Sequence, residues 1–155
     1  MADHCIGCEL IERREAGNAP LRDNIYRTDY WYLVHANSTS LLGWLILIAR
    51  RHIEAIADMT DDEAIELGKL IRQVSIILKD VTGCSKTYVA QFAEAAGHQH
   101  VHFHIIPRMV DQPEEAKGAG IFRYLGVPEA DRASESAMNQ LAIEVQRIFN
   151  RADPA

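Results

Sequence analysis

Apolar and polar positions alternate with two different periods along this chain, and the switches between them mark its elements. Residues 24–28 and 30–36 each hold an alternating or apolar run and meet at Asp29, which predicts two strands around a turn. Residues 43–50 (Gly-Trp-Leu-Ile-Leu-Ile-Ala-Arg) are almost continuously apolar, the signature of a central strand. The period then lengthens. Thr60-Asp-Asp-Glu63 is a capping box, and Leu67, Ile71, Val74, Leu78 and Val81 follow at helical spacing, with Leu70 and Ile77 widening the stripe. Gly83 ends that helix. Residues 87–92 predict another strand. Residues 111–120 form a polar loop with two glycines. Met138, Leu141, Ala142, Val145, Ile148 and Phe149 place one apolar stripe on a terminal helix over 133–150. Five strands with short connections and two main helices make an α+β fold built on an antiparallel sheet.

The strand after Gly97 stands apart. His98, His100, His102 and His104 fall at every second position, with apolar Val101 and Phe103 between the last three and apolar Ile105 after them. On a strand, His100, His102 and His104 would share one face about 7 Å apart. The chain has only seven histidines in 155 residues, so four of them in this row call for a chemical reason. Imidazole ionises near neutral pH, and its neutral form is a competent nucleophile toward phosphorus. A carbonyl holding Nδ1–H would aim the Nε2 lone pair outward. The same spacing could instead gather nitrogens on a catalytic zinc ion, or be an unremarkable row of half-exposed side chains.

Composition narrows the field. The length suits one domain over residues 1–155. A net charge of −6 lacks the basic footprint of a nucleic-acid binder, yet leaves room for a small phosphorylated ligand at a local site. No apolar run is long enough to span a membrane, and the first residues resemble no secretory signal, so a cytoplasmic location is expected. In that compartment Cys5-Ile-Gly-Cys8 is better suited to half a metal site than to a disulfide. Cys84 has the setting of a small buried apolar residue.

His100-Val-His-Phe-His-Ile-Ile-Pro-Arg108 resembles the signature of the histidine triad family of nucleotide hydrolases and transferases. The likeness extends to Cys5-x-x-Cys8, Gly43-x-Leu-Ile-Leu-Ile-x-Arg-Arg-His52, the Thr60–Glu63 helix start and Gln91, about two-thirds of the chain. The resemblance implies a five-stranded sheet that pairs with a second copy into a ten-stranded one. It implies attack by His102 on the α-phosphorus of a nucleotide, a nucleotidyl-histidine intermediate, and release of a nucleoside monophosphate from dinucleoside polyphosphates or nucleoside phosphoramidates. His104 would support His102, and Gln91 would lie near the phosphates. The family's zinc-carrying branch implies a structural zinc at Cys5, Cys8, His52 and His100, tethering residues 1–10. Magnesium would enter only as a counter-ion of the substrate.

Four departures bear on substrate recognition. Only His98 and Gln99 separate Gly97 from His100, so the loop is short and lacks the family's phosphate-binding hydroxyl; either residue could supply the donor. Trp44 stands where relatives often carry a histidine, and Ala49 where they carry a proline. No carboxylate lies in residues 31–40 for the ribose hydroxyls; Asn37 is the nearest substitute, with His35 behind it. Arg108, Arg50 and Arg51 could offset phosphate charge, and Ile25, Tyr26, Leu33 and Leu45 could line a slot for the base. The loop 114–120 and the 121–124 segment could cover the site or meet the partner subunit. Two readings of other classes stay open: a nucleotide-binding module with little turnover, and a zinc hydrolase using the histidine row.

Overall fold

The structure is a computed structural model and describes residues 4–152. Five strands, β1 (Tyr26–Arg27), β2 (Trp31–His35), β3 (Leu45–Ala49), β4 (Lys86–Ala90) and β5 (His102–Arg108), form one sheet in the order β1-β2-β3-β5-β4. Every neighbouring pair is antiparallel. Among the described residues there are three α-helices, α1 (Ile6–Glu15), α2 (Asp61–Thr82) and α3 (Glu135–Ala152).

The α2 boundaries follow from its ends. The Thr60 hydroxyl accepts from the Glu63 N–H, and the Glu63 carboxylate accepts from the Thr60 N–H at 2.7 Å, so both halves of the capping box are made. Gly83 closes the helix at φ +70°, a left-handed conformation that favours glycine. Leu67, Leu70, Val74, Ile77 and Leu78 of α2, with Leu141, Ala142, Val145 and Phe149 of α3, bury against Leu33, Leu45, Leu47, Phe103 and Ile105 of the sheet. Burying each such leucine, isoleucine or phenylalanine is worth about 1.5–3 kcal/mol, which anchors the sheet to the helices.

The opposite sheet face carries His102 and His104. The register aligns His102 with Ile48 and Tyr32, and His104 with Ile46 and Val34, in adjacent cross-strand rows. Next to them Trp44, Ala36, Ile106 and Ile121 make a second apolar cluster. Ile121 arrives on a 3-10 segment, Gly118–Tyr124, pinned to the 38–40 loop by Ser40 N–H and Thr39 Oγ–H, which both donate to the Tyr124 carbonyl. The segment therefore covers part of this face.

The two main helices expected, α2 and α3, are joined by a third, α1; its apolar stripe is weak and its start is capped by Cys5, whose sulfur accepts from Cys8 N–H. Two expectations need correction. The strand expected at 87–92 ends at Ala90. The histidine strand begins only at His102, so His98 and His100 lie in the loop before it and do not share its face. Val101 explains the late start: its N–H donates to Ile53 and its carbonyl accepts from Ala49, fastening residues 100–101 across the end of β3.

Candidate functional site

His102 and His104 stand side by side on β5, their ring centroids 5.0 Å apart. His102 is half-buried, and its Nδ1 lies 2.6 Å from the His100 carbonyl. A carbonyl only accepts, so Nδ1 must carry the proton and Nε2 is left with its lone pair. Burial holds the His102 pKa below the ordinary 6.5, which keeps the ring neutral at neutral pH. His104 is nearly fully buried. Its Nδ1 accepts from the Trp44 indole N–H at 2.9 Å, and burial lowers its pKa to about 4, with smaller contributions from His102 and His98. Phe122 packs edge-on against both His104 and Trp44, and exposed Phe92 packs on Phe122.

His100 turns away from this pair. Its ring packs against His52, with centroids 5.1 Å apart, and its Nδ1 faces Cys5 and Cys8. The sulfur-to-Nδ1 separations are 3.5 and 3.4 Å for Cys5 to His52 and His100, and 3.4 and 3.6 Å for Cys8 to the same rings. Tetrahedral zinc with bonds of about 2.3 Å to sulfur and about 2.05 Å to nitrogen requires roughly 3.6 Å between them. All four ligand atoms lie within 4.8 Å of one another. The outer nitrogens are oriented as well: His100 Nε2–H donates to the Ala49 carbonyl at 2.7 Å, and His52 Nε2–H to Glu54 at 3.3 Å. Such partners fix the Nδ1-ligating form of each ring. Without a metal, burial and neighbouring Cys5 push the Cys8 thiol up to about 11, so this thiol has little tendency to ionise unaided. The donor set fits structural zinc. It is also the one His/Cys/Asp/Glu group of metal-binding geometry among the described residues, and His102 and His104 are not in it.

The other expected residues scatter. Gln91 is half-buried and directly follows Ala90, the register partner of His104. His98 and Gln99 are exposed in the loop before β5, where the His98 charge reaches both His102 and His104. Asn37 is exposed past the end of β2, beyond the Trp44 row. Arg108 is not brought to the histidine pair. It ends β5, and its guanidinium donates to the Met109 carbonyl and to Gln112. Arg50 donates to the Thr28 and Asp29 carbonyls, and Arg51 grips Glu63 through two nitrogens at 2.6 and 2.8 Å. Ile25, Leu33 and Leu45 belong to the core under the sheet, and Tyr26 stacks on Phe149 there. The apolar floor on the histidine face is instead Ile46, half-buried, and Ile48. Period-two alternation within β3 held that information, but only the register shows which alternate residues sit beside His104.

The sequence does not show Trp44 and Phe122 as partners of His104: along the chain Trp44 is only a departure from the family pattern, and Phe122 lies in a segment that could cover the site or meet a partner subunit.

Residues 21–110 match the model of the HIT domain family. An uncharacterized HIT-like protein of Methanocaldococcus jannaschii is 27% identical over 115 residues, 73% of this chain and 85% of that protein. Two solved structures show the same fold. A zinc-bound histidine triad family protein from Mycobacterium smegmatis superposes with a TM-score of 0.67 at 14% identity, covering 96% of this chain and 97% of that one. The Plasmodium falciparum diadenosine triphosphate hydrolase, in complex with cyclomarin A, gives a TM-score of 0.62 at 20% identity, covering 84% and 78%. With the family model spanning more than half its length and the triad histidines near that span's end, this chain belongs to the histidine triad (HIT) family.

Proposed function

We propose that the protein is a nucleotide hydrolase or nucleotidyl transferase that acts through His102 and releases a nucleoside monophosphate from dinucleoside polyphosphates or nucleoside phosphoramidates. The observation that carries this reading is the hydrogen bond from His102 Nδ1–H to the His100 carbonyl, which leaves a neutral ring with a bare Nε2 beside a second histidine. In the first step the Nε2 lone pair forms a bond to the α-phosphorus. The P–O or P–N bond to the leaving group breaks, and the leaving group departs with that electron pair. It takes a proton from solvent or from His98, whose place in the short loop suits a donor. The positive charge developing on the ring is eased by Nδ1–H against the carbonyl. In the second step water attacks phosphorus and gives up a proton to solvent, the P–N bond to His102 breaks, and Nε2 regains its lone pair.

His104 supports His102 and contacts phosphate, Gln91 and Gln99 lie toward the phosphates, and Asn37 serves the ribose. Ile46 and Ile48 give the nucleotide an apolar floor. Arg108 contributes to the turn at 109–112 rather than to phosphate. A structural zinc held by Cys5, Cys8, His52 and His100 would supply a fixed crosslink. It ties α1 to the loop before β5, which Ile6 N–H already meets at the Gly97 carbonyl. The related zinc-bound structure and the fit of the separations both support it. Magnesium has a role only on the substrate. The need for two thiolates suits a reducing, cytoplasmic setting. The outer edge of β4, unpaired among the described residues, gives a second copy the edge needed for a ten-stranded dimer sheet. No helix among the described residues is long and apolar enough to cross a membrane.

The test is nucleoside monophosphate release from a panel of adenosine and guanosine polyphosphates and phosphoramidates, with wild type and His102→Ala side by side. Wild type should turn over at least one of them. The variant should lose nearly all turnover while binding nucleotide within about tenfold, because it loses an interaction made in the transition state. Equal release by both would refute the role of His102. Binding without release by either would favour a nucleotide-binding module.

A further inference from the structure

Two adjacent imidazoles of the site are locked in opposite tautomers by fixed neighbours, and the second lock is Trp44, just before the central strand. Trp44 is fully buried, just before β3, in the row next to that of His104. An indole N–H can only donate. At 2.9 Å from His104 Nδ1 it requires that nitrogen to be an acceptor, so the single proton of neutral His104 sits on Nε2. His102 has the reverse arrangement, with its proton on Nδ1 and Nε2 bare. Moving the His104 proton to Nδ1 would set two donors against each other in a buried place, at the cost of a lost hydrogen bond and an unsatisfied N–H.

Neither ring can easily evade this. The indole is wedged among Ala36, Ile106 and Ile121, and Phe122 packs edge-on against both rings. The groups whose charge reaches His104 are His102 and His98. No carboxylate is among them to favour a cationic His104.

We propose that Trp44 is a positioning residue that holds His104 as a neutral Nε2–H donor, so that His104 offers the reacting phosphoryl group a fixed hydrogen bond rather than a transferable charge. This rests on the reaction proposed above only for its kinetic part. It follows that the leaving group's proton comes from elsewhere, from solvent or the exposed His98.

The experiment has two arms. Nitrogen-15 histidine spectra of the wild-type protein at pH 7.5 report the tautomer of each ring directly and need no substrate. His104 should show a protonated Nε2 and a bare Nδ1, with His102 the reverse. A protonated Nδ1 on His104 would overturn the assignment, whatever any variant does. The second arm is Trp44→Phe, which keeps a ring in the cluster and removes the N–H. The His104 resonances should move toward the other tautomer or a mixture. The rate constant kcat should fall by roughly ten- to a hundredfold, with KM changed much less. An unchanged tautomer with unchanged kcat in a folded variant would overturn the positioning role. If wild type shows the expected tautomers but turns over no nucleotide, the proposed reaction fails and the tautomer lock stands.

Discussion

Gly7→Ala sets two effects of opposite sign against each other, and the structure says which wins. Gly7 occupies the second position of α1, where exchange for alanine would ordinarily stabilise a helix by up to about 1 kcal/mol. A Cβ there, however, would stand 2.9 Å from Cγ and Nδ1 of His100 and 3.1 Å from its Cβ. Reaching the ordinary contact distance of 3.4 Å takes a shift of about 0.5 Å. His100 cannot supply it freely: it is 1% exposed, and its Nε2–H is held by Ala49 at 2.7 Å. Either its Nδ1 leaves the Cys5–Cys8–His52 cluster or the start of α1 lifts with both cysteines. Metal sites tolerate only about 0.2 Å at each ligand. Zinc affinity should therefore weaken by roughly ten- to a hundredfold, or about 1.4–2.7 kcal/mol. For a chain of this size that corresponds to a Tm lower by about 3–10 °C in the zinc-loaded protein. With the metal removed by a chelator the zinc-dependent part of the penalty should vanish, leaving the cost of shifting buried His100 against the helix-propensity gain. The assays are zinc competition against a chromophoric chelator and calorimetry with and without chelator. An unchanged zinc affinity with a raised Tm would refute the reasoning, because the His100 contact would then be harmless to the ligand geometry.

Two further predictions concern the frame of the site. His35 is 1% exposed, donates through Nδ1–H to the Ala36 carbonyl, and accepts at Nε2 from Gly43 N–H; burial lowers its pKa from 6.5 to about 4. The unfolded chain thus binds its proton first, and stability is full above pH 6.5 and lost as pH falls toward 4. Urea unfolding at pH 7.5 and 5.0 should show a loss about 2 kcal/mol smaller in His35→Gln than in wild type; equal losses would show that His35 is not the group that titrates. At Gly120 an added Cβ would land on the Glu115 carbonyl, which as backbone cannot swing aside. Gly120→Ala should dislodge the Gly118–Tyr124 segment, cost about 1–3 kcal/mol in thermal unfolding, and raise the KM of any turned-over nucleotide; wild-type stability and KM would mean that the segment adapts and does not shape the site.

The parts of this molecule legible in the sequence are those where a local rule and the fold agree. The capping box at Thr60, the stop at Gly83 and the stripe of α3 each need only neighbouring residues, and each is where the pattern put it. Half of the candidate metal cluster is legible from the Cys5-x-x-Cys8 spacing, but His52 and His100 join it only through likeness, because they lie up to 95 residues away and no spacing rule reaches them. That cluster also explains why α1 escaped notice, since its start is capped by a cysteine of the same group. The period-two row of histidines misled in an instructive way. Alternation holds within a strand, but β5 begins at His102, so His100 was free to face the cysteines and leave its carbonyl to His102. The strand boundary, set by Val101 bonding across to Ala49 and Ile53, thus divides one sequence motif between the cysteine cluster and the sheet face. Trp44 carries the same lesson on the neighbouring strand. Seen along the chain it is only an aromatic residue where relatives have a histidine. Across the sheet it lies beside His104, and because an indole can donate but never accept, that exchange decides on which nitrogen the neighbouring imidazole carries its proton.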